Sequence, residues 1–233
     1  MRHGKRIGVV IPALNEEQAI GRVVADIPAW ADEIVVVDNG SHDGTARAAQ
    51  RAGAHVVRES ERGYGAACQA GIRALQAPDI IVFLDGDYSD WPEEMAALAD
   101  PIAAGQADFV VGSRVRGKRG PGALTPQQQF GNWLACHLIR RIWGTPCSDL
   151  GPFRAIRADA LNALDMKDRA YGWTVEMQLK AAAHNIRYME VPVRYRARIG
   201  VSKISGTLRG SVLAGVTILS VIARSALRAH RSA

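Results

Sequence analysis

The sequence predicts an α/β fold built around a mostly parallel β-sheet, and two observations lead to this prediction. Short apolar runs rich in β-branched residues recur along the first half of the chain, and Ala-rich stretches with helical spacing separate them. Strands that alternate with helices of this length form βαβ units, which build parallel, doubly wound sheets. The strands are apolar along their whole length, as expected when helices cover both faces of a sheet.

Each element follows from its local pattern. The predicted strands cover residues 7–11, 34–37, 56–57, 80–84 and 109–111, and the predicted helices cover roughly 16–26, 44–52, 64–76 and 93–104. The second half adds a Gly-, Pro- and Gln-rich loop at 117–129, amphipathic helices at 130–143 and 173–184, and a strand at 187–195.

The length of 233 residues, with 48% hydrophobic and 22% charged residues, suits one large globular domain with an appendage. We assign residues 1–205 to this domain and 206–233 to a C-terminal amphipathic helical tail. The apolar stretch of the tail, residues 212–223, is too short and too interrupted to span a bilayer. The N-terminal segment is the first strand and not a signal peptide, which favours a cytoplasmic protein.

The formal net charge of +6 predicts anionic partners such as phosphates or an acidic membrane surface. The three cysteines, Cys68, Cys136 and Cys147, are widely spaced and form no CxxC or Cys/His metal pattern. Reduced thiols are therefore expected.

An acidic cluster supplies the strongest functional signal. In sheets of this kind, ligands bind at the carboxyl ends of the strands. The strand at 80–84 is followed at once by Asp85, Asp87 and Asp90. So much negative charge beside a buried strand is costly unless a cation compensates it. Hard oxygen donors at this spacing suit Mg²⁺ or Mn²⁺ shared with substrate phosphates.

The other strand ends carry weaker signals. Asp38 ends the second strand, where a carboxylate can accept hydrogen bonds from a ribose or a base. Asn15 is expected to cap the first helix, and Glu16 is also favourable there because of the helix dipole. Gly63 lies in a Gly-rich turn, where it lets the backbone approach a ligand or lets a helix pack closely.

Six segments occur in a fixed order: PALNE, VVDNGSHDGT, GYGAA, DGDYSDWPEE, SDLGPFR and RIGVSK. Together they resemble the motifs of family-2 inverting glycosyltransferases with the nucleotide-diphospho-sugar (GT-A) fold. They are most similar to those of dolichyl- or polyprenyl-phosphate sugar synthases. The resemblance runs from about Arg6 to Lys203. It implies a UDP- or GDP-linked sugar as donor, Mg²⁺ or Mn²⁺ as cofactor, and a polyprenyl phosphate as acceptor.

The resemblance also implies roles for single residues. Asp85 and Asp87 match the DxD motif of the family, with Asp87 as the main metal ligand. Ser89 stands where many mannosyl relatives carry Gln, so Asp90 is an alternative third ligand. The positions that match nucleotide-binding residues are Pro12, Ala13, Glu16 and Asp38. Those that match phosphate-binding residues are Arg114, Arg154, Ser202 and Lys203, whose cations would neutralise charge developing on a leaving diphosphate.

Asp149 and Glu176 are candidate general bases. A hydroxyl acceptor would require such a base, whereas the oxygen of a lipid phosphate is already anionic. A solvated position on a helix explains Glu176 equally well. A glycan or other hydroxyl acceptor therefore stays open beside the lipid phosphate.

Two other function classes are open at this point. A nucleotidyltransferase also uses such a sheet and a metal, but it usually carries a Gly/Arg/Lys-rich signature where this chain has PALNEE. A non-catalytic anion-binding module is suggested only by the net charge, and the acidic cluster argues against nucleic acid as the partner. The helix at 130–143 and the basic tail favour peripheral attachment to the cytosolic face of a membrane. Core packing or a dimer interface is the alternative explanation for both.

Overall fold

A seven-stranded mixed sheet forms the centre of the molecule in the computed structural model, which describes residues 1–200, 215 and 217–225. The strands are β1 (Ile7–Ala13), β2 (Glu33–Asp38), β3 (His55–Arg58), β4 (Ile80–Phe83), β5 (Phe109–Ser113), β6 (Arg154–Arg157) and β7 (Tyr188–Pro192). Their spatial order is β3-β2-β1-β4-β6-β5-β7. All neighbours are parallel except those of β6, which runs antiparallel to both β4 and β5.

Seven helices lie between the strands in the described chain: α1 (Ile20–Asp26), α2 (Thr45–Arg51), α3 (Tyr64–Ala74), α4 (Met95–Ala103), α5 (Pro126–Trp143), α6 (Ala158–Leu164) and α7 (Trp173–Ala183). A 3-10 turn, Pro92–Glu94, precedes α4. None of the described helices is long and apolar enough to cross a bilayer.

The order of the strands creates a switch point between β1 and β4. The chain builds β2 and β3 on one side of β1 and then returns to place β4 on the other side. The connections therefore diverge at the carboxyl ends of β1 and β4, where ligands bind in open α/β sheets. Because β6 is antiparallel, its first residue lies at this same edge, with Arg154 opposite Phe83 and Val111.

Two apolar clusters cover the faces of the sheet, which explains why the strands are apolar along their length. One contains residues of α1, α2 and α4 against one face, and the other contains residues of α3, α6 and α7 against the opposite face. A third cluster joins α5 and α7 to the segment after α5, with Ala135, Cys136, Ile139 and Leu179 at its centre.

The five strands predicted in the first half are confirmed, and the predicted doubly wound, mostly parallel sheet is confirmed with them. The prediction missed β6 and α6. It also began α5 too late, because Thr125 caps this helix and Pro126 opens it. The expected cap at Asn15 is wrong: α1 begins at Ile20, and Asn15 Oδ1 accepts a hydrogen bond from the His42 N–H at 2.8 Å.

The described part of the predicted tail, residues 215 and 217–225, is helical and packs on the domain. Ile222 is buried in the third cluster, where Ile218 and Val221 also contact it, while Leu219 is exposed. This packing ties the described tail to α5 and α7. The remaining residues of the segment 206–233 lie outside the described part of the chain.

Two helical glycines differ in the space around them, and this difference predicts opposite effects of alanine. A Cβ at Gly71 in α3 would lie 2.4 Å from Val10 Cγ1 in the sheet, whereas a Cβ at Gly131 in α5 meets nothing within 4 Å. We expect Gly71→Ala to lower the free energy of unfolding by about 1–3 kcal/mol through overpacking. Gly131→Ala should raise it by about 0.5–1 kcal/mol, because alanine loses less chain entropy in a helix. Urea unfolding measures the free energy of unfolding of both variants. An equal change in the two variants would contradict the close packing of α3 on β1.

Candidate functional site

Three aspartates crowd the turn that follows β4. Asp87 and Asp90 are buried, and Asp85 is partly buried. Asp87 Oδ1 accepts hydrogen bonds from the Ser89 N–H at 2.9 Å and the Ser89 hydroxyl at 2.5 Å. Asp90 Oδ2 accepts one from the Asp85 N–H at 3.4 Å, whereas the buried Asp90 Oδ1 has no hydrogen-bond partner among the described residues. The turn therefore orients its carboxylates without neutralising them.

The turn lies against the ends of β1 and β2. A Cβ at Gly86 would be 3.4 Å from both the Pro12 carbonyl oxygen and Ala13 Cβ. In β2, Asp38 pairs with Ala13 in register, and its Oδ1 accepts a hydrogen bond from the Ser41 N–H at 2.9 Å. The structure thus brings the predicted nucleotide-binding residues of β1 and β2 to the same sheet edge as the acidic cluster.

Arg198 supplies a positive charge beside Asp87. Its Nη1 lies 3.1 Å from Asp87 Oδ2, and its Nη2 donates to Glu16 Oε1 at 2.6 Å. The segment that carries Arg198 is held on the acidic turn by its backbone, since the Ile199 N–H donates to the Asp87 carbonyl oxygen at 2.9 Å. One guanidinium therefore bridges Glu16 and Asp87, two residues that the sequence predicts to act on the nucleotide-sugar and the metal.

Burial and the crowding of the three carboxylates raise the pKa values of Asp85 and Asp90. Burial, together with the charges of Asp87 and Asp90, raises the pKa of Asp85 well above its usual range. Burial and the charge of Asp87 raise the pKa of Asp90 to about 7. The guanidinium groups of Arg198 and Arg114 partly oppose the rise at Asp85. The site therefore favours additional positive charge.

Arg114 and Asp149 form a buried ion pair at the same edge. Arg114 Nε and Nη2 donate to the two carboxylate oxygens of Asp149 at 2.9 and 2.7 Å, and the Arg114 N–H donates to Oδ2 at 2.7 Å. The Arg114 guanidinium also lies 5.0 Å from the centre of the Tyr195 ring. Burial opposes ionisation of Asp149, but the charge and hydrogen bonds of Arg114 outweigh it and lower the pKa of Asp149.

Comparison with known proteins decides the family. The family model described as glycosyl transferase family 2 matches residues 8–164, which is more than half of the chain. The chain belongs to glycosyl transferase family 2. The predicted resemblance is confirmed, and the protein is a glycosyltransferase.

Curated relatives cover almost the whole transferase. An uncharacterized glycosyltransferase of Mycobacterium tuberculosis is 38% identical over 94% of this chain and 99% of its own length. An undecaprenyl-phosphate mannosyltransferase of Micrococcus luteus is 32% identical over 94% of this chain and 96% of its own. A dolichyl-phosphate hexose transferase of Haloferax volcanii is 31% identical over 95% of this chain and 96% of its own.

Solved structures confirm the GT-A fold. The crystal structure of glucosyl-3-phosphoglycerate synthase from M. tuberculosis in complex with Mn²⁺, UDP-glucose and phosphoglyceric acid has a TM-score of 0.77 to the transferase. It is 22% identical, and the match covers 96% of this chain and 80% of that one. At this identity the likeness establishes the shared fold.

The transferase does not place Arg154 where it can bind a phosphate, which contradicts the prediction. The side chain is 1% exposed, and its guanidinium donates to the carbonyl oxygens of Leu150, Gly151 and Thr174 at 3.0–3.1 Å. Arg154 therefore fastens the segment before β6 to α7. A buried arginine that starts a strand cannot be told from a phosphate ligand by its sequence alone.

Neither candidate general base is poised to take a proton. Glu176 accepts hydrogen bonds from the backbone N–H groups of Lys167 and Asp168 at 2.7–3.1 Å, and Lys180 Nζ lies 2.8 Å from it. Asp149 is fully occupied with Arg114. Both carboxylates thus hold structure in place, and the expectation that either acts as the base is not supported by this geometry.

Gly63 serves close packing in this structure. Its φ is +152°, and an added Cβ would lie 2.0 Å from the carbonyl oxygen of Arg169. Of the two roles open for this residue, the structure shows close packing, here against the segment before α7. Ser202 and Lys203, which match phosphate-binding positions, lie outside the described residues.

The acidic turn offers a cation fewer carboxylate ligands than the sequence predicts. In the described chain, no group of three or more His, Cys, Asp and Glu side chains is arranged to hold a metal ion. Asp85, Asp87 and Asp90 therefore do not form the predicted three-carboxylate site in this arrangement, and Asp90 Oδ2 accepts the Asp85 N–H instead. Asp87 Oδ2 faces the Arg198 cation. This donor set suits a Mg²⁺-like ion that takes one or two carboxylates and completes its shell with substrate phosphate.

Glu190 is a site residue that the sequence prediction missed. Its carboxylate accepts hydrogen bonds from the Ser148 N–H at 2.7 Å, the Ser148 hydroxyl at 2.5 Å and the Tyr188 hydroxyl at 2.6 Å. It thereby fixes the residue next to Asp149. The sequence does contain a signal for Glu190, because this carboxylate lies between the apolar residues Met189 and Val191 of a strand. A carboxylate buried in such a strand needs a hydrogen-bonding or charged partner.

Breaking the Arg114–Asp149 pair should destabilise the transferase strongly. Asp149→Asn leaves a buried guanidinium without its counter-charge, and we expect a loss of about 3–5 kcal/mol in the free energy of unfolding. A suitable control is Asp165→Asn, since the ion pair of Asp165 with Lys167 is exposed at both ends and should leave the urea midpoint unchanged.

The pH dependence of the free energy of unfolding tests whether the loss in Asp149→Asn comes from the missing carboxylate charge. The folded-state pKa of Asp149 is lowered, so its stabilising contribution is present above the unfolded-state pKa of about 3.9 and is lost as the pH falls through the folded-state value. The difference between wild type and Asp149→Asn should therefore be constant from pH 7 to about pH 5 and shrink only in stronger acid. A difference that already declines near neutral pH would contradict the assignment to Asp149.

Proposed function

We propose that this glycosyltransferase is a metal-dependent, inverting enzyme that transfers a hexose from a UDP- or GDP-linked donor to a polyprenyl phosphate. The observation that carries the proposal is the acidic turn after β4, which lies at the switch point and is faced by the cations of Arg198 and Arg114. Sites that bind a nucleoside diphosphate together with a divalent cation need this mixture of carboxylates and basic groups.

Each side of the site has its own task in this proposal. Asp38 and the backbone at Pro12–Ala13 would hold the nucleoside, and Asp87, with Asp85 beside it, would hold the cation. A bound divalent cation would neutralise the diphosphate and so favour its departure. Arg114, held by Asp149, would add a second cation for the phosphates. The names of the Micrococcus luteus and Haloferax volcanii relatives, together with the Mn²⁺ and UDP-glucose in the mycobacterial structure, support this assignment.

The occupied carboxylates favour an anionic acceptor. A hydroxyl acceptor needs a base, but Asp149 and Glu176 already accept several hydrogen bonds each. A phosphate oxygen needs no deprotonation at neutral pH. It can attack the anomeric carbon from the side opposite the leaving diphosphate, which inverts the configuration. The occupation of these two candidate bases therefore supports a lipid phosphate over a glycan hydroxyl as the acceptor.

A transfer assay tests the function. The full chain is incubated with labelled UDP- and GDP-hexoses, with Mg²⁺, Mn²⁺ or chelator, and with either polyprenyl phosphate or the matching polyprenol. We expect a lipid-linked sugar phosphate of inverted anomeric configuration, formed only with the phosphate lipid and only with metal. Transfer to polyprenol, retention of configuration or full activity in chelator would each contradict the proposal.

The exposed face of α5 supports a membrane-borne acceptor. Phe130 and Trp133 are 62% and 55% exposed, and the Trp133 ring stacks on His137. Arg140 and Arg141 are exposed on the same side of the helix. The region 109–148 contains six Lys or Arg residues and no Asp or Glu. Aromatic side chains beside the exposed Arg140 and Arg141 suit the interface of an anionic bilayer.

Replacing these aromatics should release the enzyme from membranes. We expect Phe130→Ser combined with Trp133→Ser to weaken sedimentation with phosphatidylglycerol vesicles by at least about tenfold, since burial of each ring contributes roughly 1.5–3 kcal/mol. Ile142→Ser is the matched control, because Ile142 is 45% exposed on the same helix but lies about half a turn away from Trp133. Equal sedimentation of all three proteins would contradict attachment through this face.

A further inference from the structure

Two of the three cysteines lie side by side in the third apolar cluster. The sulfur atoms of Cys136 and Cys147 are 3.1 Å apart, and each residue is 2% exposed. Cys136 belongs to α5, whereas Cys147 lies in the segment that leads to Asp149. A disulfide bond is about 2.05 Å long, so a shift of about 1 Å would bring the sulfurs within bonding distance. Both are free thiols in this structure.

The side chain of Asn132 holds the backbone segment around Cys147 against the helix that carries Cys136. Asn132, one turn before Cys136 on α5, donates through Nδ2 to the Ser148 carbonyl oxygen at 3.1 Å. Its Oδ1 accepts a hydrogen bond from the Leu150 N–H at 2.9 Å. These bonds clamp the segment that carries Cys147 onto α5, so the thiols face each other as a consequence of the fold.

We propose that Cys136 and Cys147 are a dithiol that hydrogen peroxide converts reversibly into an intrachain disulfide. One thiolate attacks a peroxide oxygen, which breaks the O–O bond and gives a sulfenic acid and, after protonation, one water. The second sulfur then displaces the hydroxyl group from the first, which forms the S–S bond and releases a second water. The two sulfurs together lose two electrons and two protons, and one peroxide is reduced to two waters.

The bond would connect α5 covalently to the segment before Asp149. It closes a loop in the unfolded chain and thus lowers the entropy gained on unfolding. The oxidised protein should therefore unfold at a higher urea concentration than the reduced protein. This inference concerns the modification of the thiols and stands independently of the donor and acceptor proposed above.

The test uses the full-length chain with Cys68→Ala, which leaves only the two paired thiols. After treatment with peroxide and removal of the excess, the protein is denatured, its thiols are counted, and its intact mass is measured. We expect no free thiol, a mass lower by two hydrogen atoms, and recovery of both thiols with dithiothreitol. Oxidised protein should also show a raised urea midpoint.

The control adds Cys136→Ser to Cys68→Ala, and it should neither lose hydrogen nor gain urea resistance. Proteolysis of oxidised wild type without reduction provides a check that does not depend on this variant folding, since it should yield one peptide pair joined through Cys136 and Cys147. Persistent free thiols, a mass increase by oxygen atoms, or a link between two chains would each overturn the proposal.

Discussion

The site depends on one electrostatic constraint, which is the concentration of carboxylates at the carboxyl end of β4. Asp85, Asp87 and Asp90 cannot all carry charge beside a buried strand without nearby cations. Arg198 meets part of this requirement and is itself held by Glu16. The segment after β7 therefore lies over the turn and brings a cation from the far end of the sheet to the switch point.

A second layer of polar contacts lies at the edge where β5 ends. Asp149 orients the Arg114 guanidinium through hydrogen bonds. Ser148, the residue before Asp149, donates hydrogen bonds to Glu190 of β7. These side chains come from distant parts of the chain and meet because β6 enters the sheet antiparallel, at the edge where β5 ends. Because Asp149 and Glu190 are committed to these contacts, the acceptor that we propose is one that brings its own negative charge.

Sequence reasoning succeeded where a property is local and failed where it depends on partners. The run Ile80–Phe83 is uniformly apolar, so both the strand and the acidic turn after it were predictable. The strand β6 was missed because Arg154 and Arg157 flank only two apolar residues. The structural role of Arg154 depends in part on the carbonyl oxygen of Thr174 in α7, which is 20 residues away. The Cys136–Cys147 contact spans eleven positions without any spacing motif, so only the fold reveals it.

We propose that the acidic turn binds a divalent cation that in turn binds a nucleoside diphosphate, with Asp87 as the residue that holds the cation. The most direct measurement is calorimetric titration of UDP and GDP into wild type and Asp87→Asn, each with Mn²⁺ and with chelator. Mn²⁺ should strengthen binding to wild type and have no effect on Asp87→Asn, which keeps the shape of the side chain but lacks its charge. Wild type that binds equally well in chelator, or Asp87→Asn that keeps the full enhancement by Mn²⁺, would contradict it.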